Sequence, residues 1–444
     1  MHRIAGFYLS FLIIGYVFFG KGFAYVGVAP LYVSEIGLGL GALSLAAALA
    51  VEGRTRARGC ERLPLLLLAA FVAWQLFRTL PYLRTHGLDT ARDAMLWGYS
   101  AYAVLIYALL PGRAVGGILV AFRRLVPVYL VWILVAMALM QSGAVTLRYP
   151  GAPIPFLWLK APDVGVHLAG VGAFMLLRLD TLSKPWTSRA LSMLWLLWGL
   201  GWLTYGSSSR AGMLSALVGL GVVVLVRPKV RWGRPLAVGL VLLSVLSLSK
   251  LKAPVSGGHE VSFEQMTQNV TSLVGQGDER LRGTMVWRLA WWLTIVDYTV
   301  RGDHFWLGKG YGINLANDDG FQVTHDKSLR SPHNAFMTVL ARSGVPGLVL
   351  WCAFLLSFFR MLVRRHETRV QGDESLESRL AMWVVAYGLA FLFNASFDVF
   401  LEGPMGGVLF WSLVGFGLVI GRYMGDGRSA HSSRLLGTPA TSKN

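Results

Sequence analysis

Apolar runs of about 20 residues, the length that crosses a bilayer as a helix, recur along almost the whole chain. The pattern predicts twelve spans, at 4–20, 29–50, 63–78, 94–111, 120–141, 163–178, 190–206, 210–226, 235–250, 333–359, 379–394 and 403–421. The polar gaps between them are short except for one, residues 251–332. The first run reads as a span rather than a signal peptide, being long and without a small-x-small cleavage site. Within the long gap, residues 262–275 mix polar and apolar positions as a short helix does. Residues 283–300 are apolar and carry Trp287, Trp291 and Trp292. As a span, that segment would move every later loop across the membrane. It reads instead as a helix along the interface, where tryptophan is favoured. Residues 314–331 are polar and read as irregular, and residues 425–444 read as a disordered cytoplasmic tail. The expected fold is an all-α polytopic membrane protein. Residues 1–424 form one domain of about 12 transmembrane helices, and the single large loop holds interfacial helices.

Composition agrees. The chain is 55% hydrophobic and 14% charged, against about 25% charged in soluble domains. The net charge of +18 is a topology signal more than a nucleic-acid signal. With the N-terminus inside, 24 of the 41 lysines and arginines fall in the cytoplasmic set of loops and only 7 in the short loops opposite. This puts both termini in the cytoplasm and residues 251–332 outside. The inner excess of positive charge suits anionic membrane lipids, and no nucleic-acid partner is expected. Cys60 lies in a cytoplasmic loop and Cys352 in a span, so they do not pair. No metal-ligand spacing stands out, and neither metal nor cofactor is expected.

The candidate chemistry lies on the outer side. Arg330-Ser331-Pro332-His333-Asn334-Ala335-Phe336 ends the long loop and opens a span. Ser331 suits an N-cap and Pro332 a first helical position. That places His333 in the first turn, at the positive end of the helix dipole. His86, His167, His259, His304 and His325 share that side, and only the helix-start position sets His333 apart. Arg210 follows three serines and begins another span whose N-terminus faces outward. It reads either as a headgroup anchor or as an anion site. Arg288, flanked by apolar residues, either snorkels or reaches for a negative group. Gly308, Gly310 and Gly312 suit a tight turn or a close backbone approach to a ligand. Together His333, Arg210 and Arg288 make a candidate pocket for a phosphate or pyrophosphate.

Ser209-Arg210-Ala211-Gly212, Trp287-Arg288, Gly308-Lys309-Gly310-Tyr311-Gly312, Pro332-His333-Asn334-Ala335-Phe336 and Ala341-Arg342-Ser343-Gly344-Val345-Pro346-Gly347 occur in that order. In this the chain resembles the O-antigen ligase/polymerase superfamily, over about residues 205–350. The resemblance implies a GT-C-like glycosyltransferase of the bacterial inner membrane, with a periplasmic active site. Its implied donor is an O-antigen glycan on undecaprenyl pyrophosphate. Its implied acceptor is a sugar hydroxyl of lipid A–core for a ligase, another lipid-linked repeat unit for a polymerase, or a protein hydroxyl in a third branch. On this reading neutral His333 is the general base of a metal-independent, inverting transfer. Arg210 and Arg288 bind and stabilise the leaving pyrophosphate. Lys309, Tyr311, Asn334 and Asp398 line the substrate site; Asp398 and Glu402 either orient a group or only cap a helix.

One long loop without a second, and no further C-terminal domain, favour the ligase over the polymerase and the protein-directed branch. The rival outside enzymes is a transporter of an anionic lipid or small anion. A transporter is expected to carry charges deep in its spans and often an inverted repeat, and neither is evident here.

Overall fold

The computed structural model describes residues 2–28, 31–52, 60–112, 114–182, 184–227, 231–249, 253–255, 259–271, 279–367 and 376–424. The described residues are mostly helical, and the predicted spans fall largely on helix; the one at 29–50 is helical only from Val33, after a short strand at Leu31–Tyr32. Six helices are long and apolar enough to cross a membrane: Val33–Ala50, Arg62–His86, Ala114–Gln141, Ala335–Arg364, Leu376–Ala395 and Pro404–Arg422. Gly6–Phe19, Ser100–Leu109, Ala161–Leu176, Arg210–Val226 and Gly233–Ser249 are shorter and equally apolar.

In chain order the helices that position the site are α1 (His2–Phe19), α2 (Val33–Glu52), α3 (Arg62–His86), α4 (Leu88–Gly98), α5 (Ser100–Leu109), α6 (Ala114–Gln141), α7 (Ala161–Leu176), α8 (Ser188–Ser208), α9 (Arg210–Val226) and α10 (Gly233–Ser249). The long loop adds α11 (Phe263–Thr271), α12 (Glu279–Val296) and α13 (Leu315–Asp318). The chain continues through α14 (Ala335–Glu367), α15 (Leu376–Ala395) and α16 (Pro404–Met424).

Helix α7 is the centre of the bundle, buried from Asp163 to Leu176. Its glycines explain how. A side chain at Gly165 would collide with the backbone of Gly212 on α9, one at Gly170 with the Tyr387 ring on α15, and one at Gly172 with Trp198 on α8 and Leu220 on α9. Small residues bring helix backbones together where lipid gives no hydrophobic drive. The consequence for function is that the N-termini of α7 and α9 lie side by side.

Four expectations need correction. The run at 94–111 is two helices, α4 and α5, meeting at Tyr99; α4 carries Asp89 and Asp93 at the loop end of the bundle. The run at 333–359 begins at Ala335, extends to Glu367 and is broken at Gly344, whose φ is 70°. A two-stranded antiparallel hairpin, 253–255 with 259–261, lies in the long loop. The polar stretch 314–331 contains the short helix α13, capped by Asn314. Of the predicted helix at 262–275, residues 263–271 are helical and 272–275 lie outside the described residues, as does the tail 425–444.

The loop packs down on the bundle through its own small core. Trp291 and Ile295 of α12 join Leu315, Ala316, Leu340 and Ala341. The other face of α12 shows Met285, Leu289 and Leu293 about half exposed. One face on protein and the other apolar and open is what a helix lying along a membrane surface requires.

Candidate active site

The glycine-rich turn builds the frame. Gly308, Gly310 and Gly312 have φ of 61°, 86° and 88°, values that side chains other than glycine rarely adopt. Gly308 comes against the α14 backbone at Ala341–Ser343, Gly310 against the Tyr82 ring, and Gly312 against His86 and Thr90. The break at Gly344 frees carbonyls of the preceding turn. The N–H of Lys309 donates to Ala341 O at 2.7 Å, and that of Gly310 to Arg342 O at 3.0 Å. Val345 N–H donates across the break to Phe305 O at 2.8 Å. The turn is thus a splint for α14 rather than a ligand cradle.

Lys309 and Tyr311 belong to that splint. The Lys309 ammonium bonds Asp318 and Asp319 and lies over the Tyr298 ring at 4.1 Å. Tyr311 is fully buried and donates to Gln75 Oε1 at 2.6 Å. Both side chains have their polar atoms taken up inside the protein. Arg342 is not a mid-span charge either: it pairs with Asp93 at 3.0 Å, which also takes Arg330 at 2.8 Å.

The start of α14 also differs from expectation. Asn334, not Ser331, is the capping residue: its Oδ1 accepts from Phe336 N–H at 2.9 Å and Met337 N–H at 3.1 Å. Its side-chain oxygen is taken up by the helix. His333 therefore precedes the helix instead of lying in its first turn, and takes a left-handed φ of 54°. For a histidine this conformation is strained and has to be held by its surroundings.

Helix α12 supplies the hold. Trp292 Nε1 donates to Pro332 O at 2.8 Å, next to His333. One turn earlier, Arg288 donates to Phe397 O at 2.7 Å, next to Asp398. Residues four apart share a helix face, so one face of α12 pins both segments. His333 Nδ1 then stands 3.5 Å from Asp398 Oδ1. At this distance the two are within ion-pair reach, and Nδ1 makes no hydrogen bond among the described residues.

Asp398 is anchored from its other oxygen. Lys160, the residue before α7, donates its ammonium to Oδ2 at 2.7 Å. Burial alone would raise the Asp398 carboxyl. The His333 contact and the Lys160 ammonium outweigh it and hold the carboxyl well below its usual range. Burial alone would lower Lys160, yet Asp163 and Asp398 keep its ammonium above its ordinary value. Arg288 is pushed down by burial and by the neighbouring Arg210, with Asp398 opposing. Arg210 opens α9 behind its cap Ser209, whose Oγ accepts from Gly212 N–H at 3.2 Å. The structure therefore brings His333, Asp398, Arg288 and Arg210 into one charged group.

It adds residues that the sequence reading passed over. Lys160, Asp163 on the first turn of α7, and Lys21 after α1 all act on this group's charges. The available signal was Lys160-Ala161-Pro162-Asp163, opposite charges three apart at the start of an outward-facing helix. A lone lysine before a span reads as a topology anchor, which hid it. Glu402 lies nearby on another path, accepting from Thr338 Oγ1 at 2.9 Å.

A family model described as O-antigen ligase matches residues 192–352, the stretch that holds Arg210, Arg288 and His333. Lys160 and Asp398 reach the group from outside that stretch. A comparison with curated proteins finds no match. Residues 192–352 are thus similar to the O-antigen ligase family, within a chain whose apolar helices are those of a multi-pass membrane protein.

Proposed function

We propose that this protein is an O-antigen ligase of the bacterial inner membrane, acting on its periplasmic face. It moves O-antigen polysaccharide from undecaprenyl pyrophosphate to a sugar hydroxyl of lipid A–core. The observation that carries the reading is the ring of His333 set against Asp398, with Arg288 and Arg210 beside them.

Asp398 at Nδ1 orients the ring and leaves Nε2 to take a proton, the role an orienting carboxylate plays for a histidine base. The acceptor hydroxyl gives its proton to Nε2 as its oxygen attacks the anomeric carbon of the donor. A new C–O bond forms, the C–O bond to pyrophosphate breaks, and the electron pair leaves on the pyrophosphate oxygen. Attack opposite the leaving group inverts the anomeric centre. Arg288 and Arg210 face the charge that grows on that oxygen, and such preorganised cations act most strongly where water is excluded. The apolar outer face of α12 keeps the group at the depth where a lipid-linked pyrophosphate lies.

A large apolar cavity of about 520 Å³ runs among α1, α2, α5, α6, α7, α15 and α16. No Asp, Glu, Lys or Arg is among its described lining residues. An anion path through the membrane needs such groups, so this space lends nothing to a transporter.

The test is His333→Ala as the only copy in the host, with lipopolysaccharide and undecaprenyl-linked glycans measured together. General-base loss costs about 10²–10⁴-fold, so the long-chain ladder is expected to vanish while polymer accumulates on the lipid carrier. Core bearing a single repeat unit would instead mean a polymerase. An unchanged ladder would remove His333 from the chemistry.

A further inference from the structure

We propose that Lys160 is a positioning residue that cancels the charge of Asp398, so that Asp398 can orient His333 without holding a proton on it. The proposal rests on His333 acting as a base.

A carboxylate beside an imidazole does two things. It fixes the tautomer, and it stabilises the charged imidazolium. The second effect works against a base, because a histidine already protonated accepts nothing. The difficulty grows when the donor binds. Its pyrophosphate occupies the arginines and adds negative charge to the same pocket. The fold answers with one cation bound to Asp398 itself. Lys160 holds Oδ2 at 2.7 Å while His333 faces Oδ1 at 3.5 Å. The two oxygens of one carboxylate thus serve separate partners.

Lys160 is built into this place rather than lying there by chance. The strand before it is tied to the end of α1: Trp158 N–H donates to Phe19 O at 3.1 Å, and Lys21 N–H to Trp158 O at 2.9 Å. Asp163 is buried one turn into α7, with no hydrogen-bond partner on either oxygen. It faces Lys160 and Lys21 electrostatically. Around the Asp398–His333 pair the charged groups are Lys21 after α1, Lys160 and Asp163 at α7, Arg210 at α9, Arg288 on α12 and Glu402 before α16. Of these, Lys160 is the one in contact with the Asp398 carboxylate.

The prediction has a sign. Without Lys160, the negative charge of Asp398 is no longer offset, His333 keeps its proton to higher pH, and the acid limb of the pH–rate profile moves up. One unit charge at this range shifts such a limb by about one pH unit. Transfer at neutral pH then falls by up to about tenfold and recovers in alkali.

The experiment measures the rate at which diethyl pyrocarbonate modifies His333 against pH, by mass spectrometry of the full-length protein in nanodiscs. The reagent attacks neutral imidazole and needs no transfer activity. Exposed His325 is the control in the same sample. Lys160→Met is expected to raise the His333 midpoint by about one unit, with His325 unmoved, and Lys160→Arg to restore it. In an Asp398→Asn background no carboxylate is left for the ammonium to offset or to be held by, and Lys160→Met is expected to leave the His333 midpoint unmoved. An unchanged midpoint in Lys160→Met, or an equal rise with Asp398→Asn present, overturns the proposal. If Lys160→Met does not fold, Lys160→Gln is read by the same criteria. Failure of the base assignment shows separately, as retained transfer in His333→Ala.

Discussion

His333 carries both the chemistry and a cost. A side chain at φ 54° is strained by about 1–2 kcal/mol for most residues, and less for asparagine. The residues on either side are fixed, Pro332 by Trp292 and Asn334 as the cap of α14, and the His333 ring faces Asp398. The strain and the base are separable. His333→Asn is expected to match or exceed the wild-type thermal midpoint, while His333→Val falls about 1–2 kcal/mol below His333→Asn; both lose transfer. Equal midpoints for the two variants would mean that the backbone relaxes freely at this position. At this scale the sequence was legible where a residue is conspicuous for its setting. An arginine after three serines, or within an apolar helix, is one such residue. A histidine at the start of a span is another. It was not legible where identity is ordinary. Ser331 and Asn334 are both good caps, and only the local backbone path decides that Asn334 caps α14 and that His333 stays outside the helix.

At the scale of elements, the broken helix α14 is the part that matters most. Leu340 and Ala341, just before the break, join the loop core, while Trp351, Phe354 and Phe358 after it join the bundle core, which Ala335 and Val339 also reach. The break has a sequence cause: Pro346 has no N–H to give Arg342 O four residues earlier, and Val345 before it resists the helical conformation. An apolar run hides this, because hydropathy counts residues and not hydrogen bonds. The same limit explains α4 and α5, read as one span although they meet at Tyr99, and the hairpin at 253–261, whose strands are too short for a pattern. Gly308–Gly312 was legible as a turn, but its partner was not: a glycine that lets backbone come close does not say which backbone. Gly344 has φ 70° and ψ −175°, and a side chain there would collide with Phe305 O. That region is open essentially to glycine alone. Gly344→Ala is expected to cost at least about 1–3 kcal/mol, seen as a lower thermal midpoint in detergent, with exposed Val349→Ala as the unchanged control. A wild-type midpoint for Gly344→Ala would show that the break is not what holds the loop to the bundle.

For the whole molecule, the decisive question is which side of the membrane His333 faces. The helical, multi-pass character was plain from apolar runs, since a bilayer permits few other solutions. Orientation rests on another physical signal, the unequal spread of lysine and arginine between alternate loops. The two meet at the site: the charged group lies at the same end of the bundle as the described residues 279–332, and lipid A–core is reached only from the periplasm. Two single cysteines in a Cys60→Ser, Cys352→Ser background test this. Asp326→Cys lies in the exposed part of the long loop, and Lys184→Cys in an exposed turn at the opposite end. In spheroplasts, a membrane-impermeant maleimide is expected to label the Asp326→Cys protein at once and the Lys184→Cys protein only after lysis. The reverse labelling would put His333 against the cytoplasm, away from any periplasmic acceptor. The ligase reading would then fall even if every distance around His333 were unchanged, because a glycosyl transfer is defined as much by the compartment that supplies its acceptor as by the base that activates it.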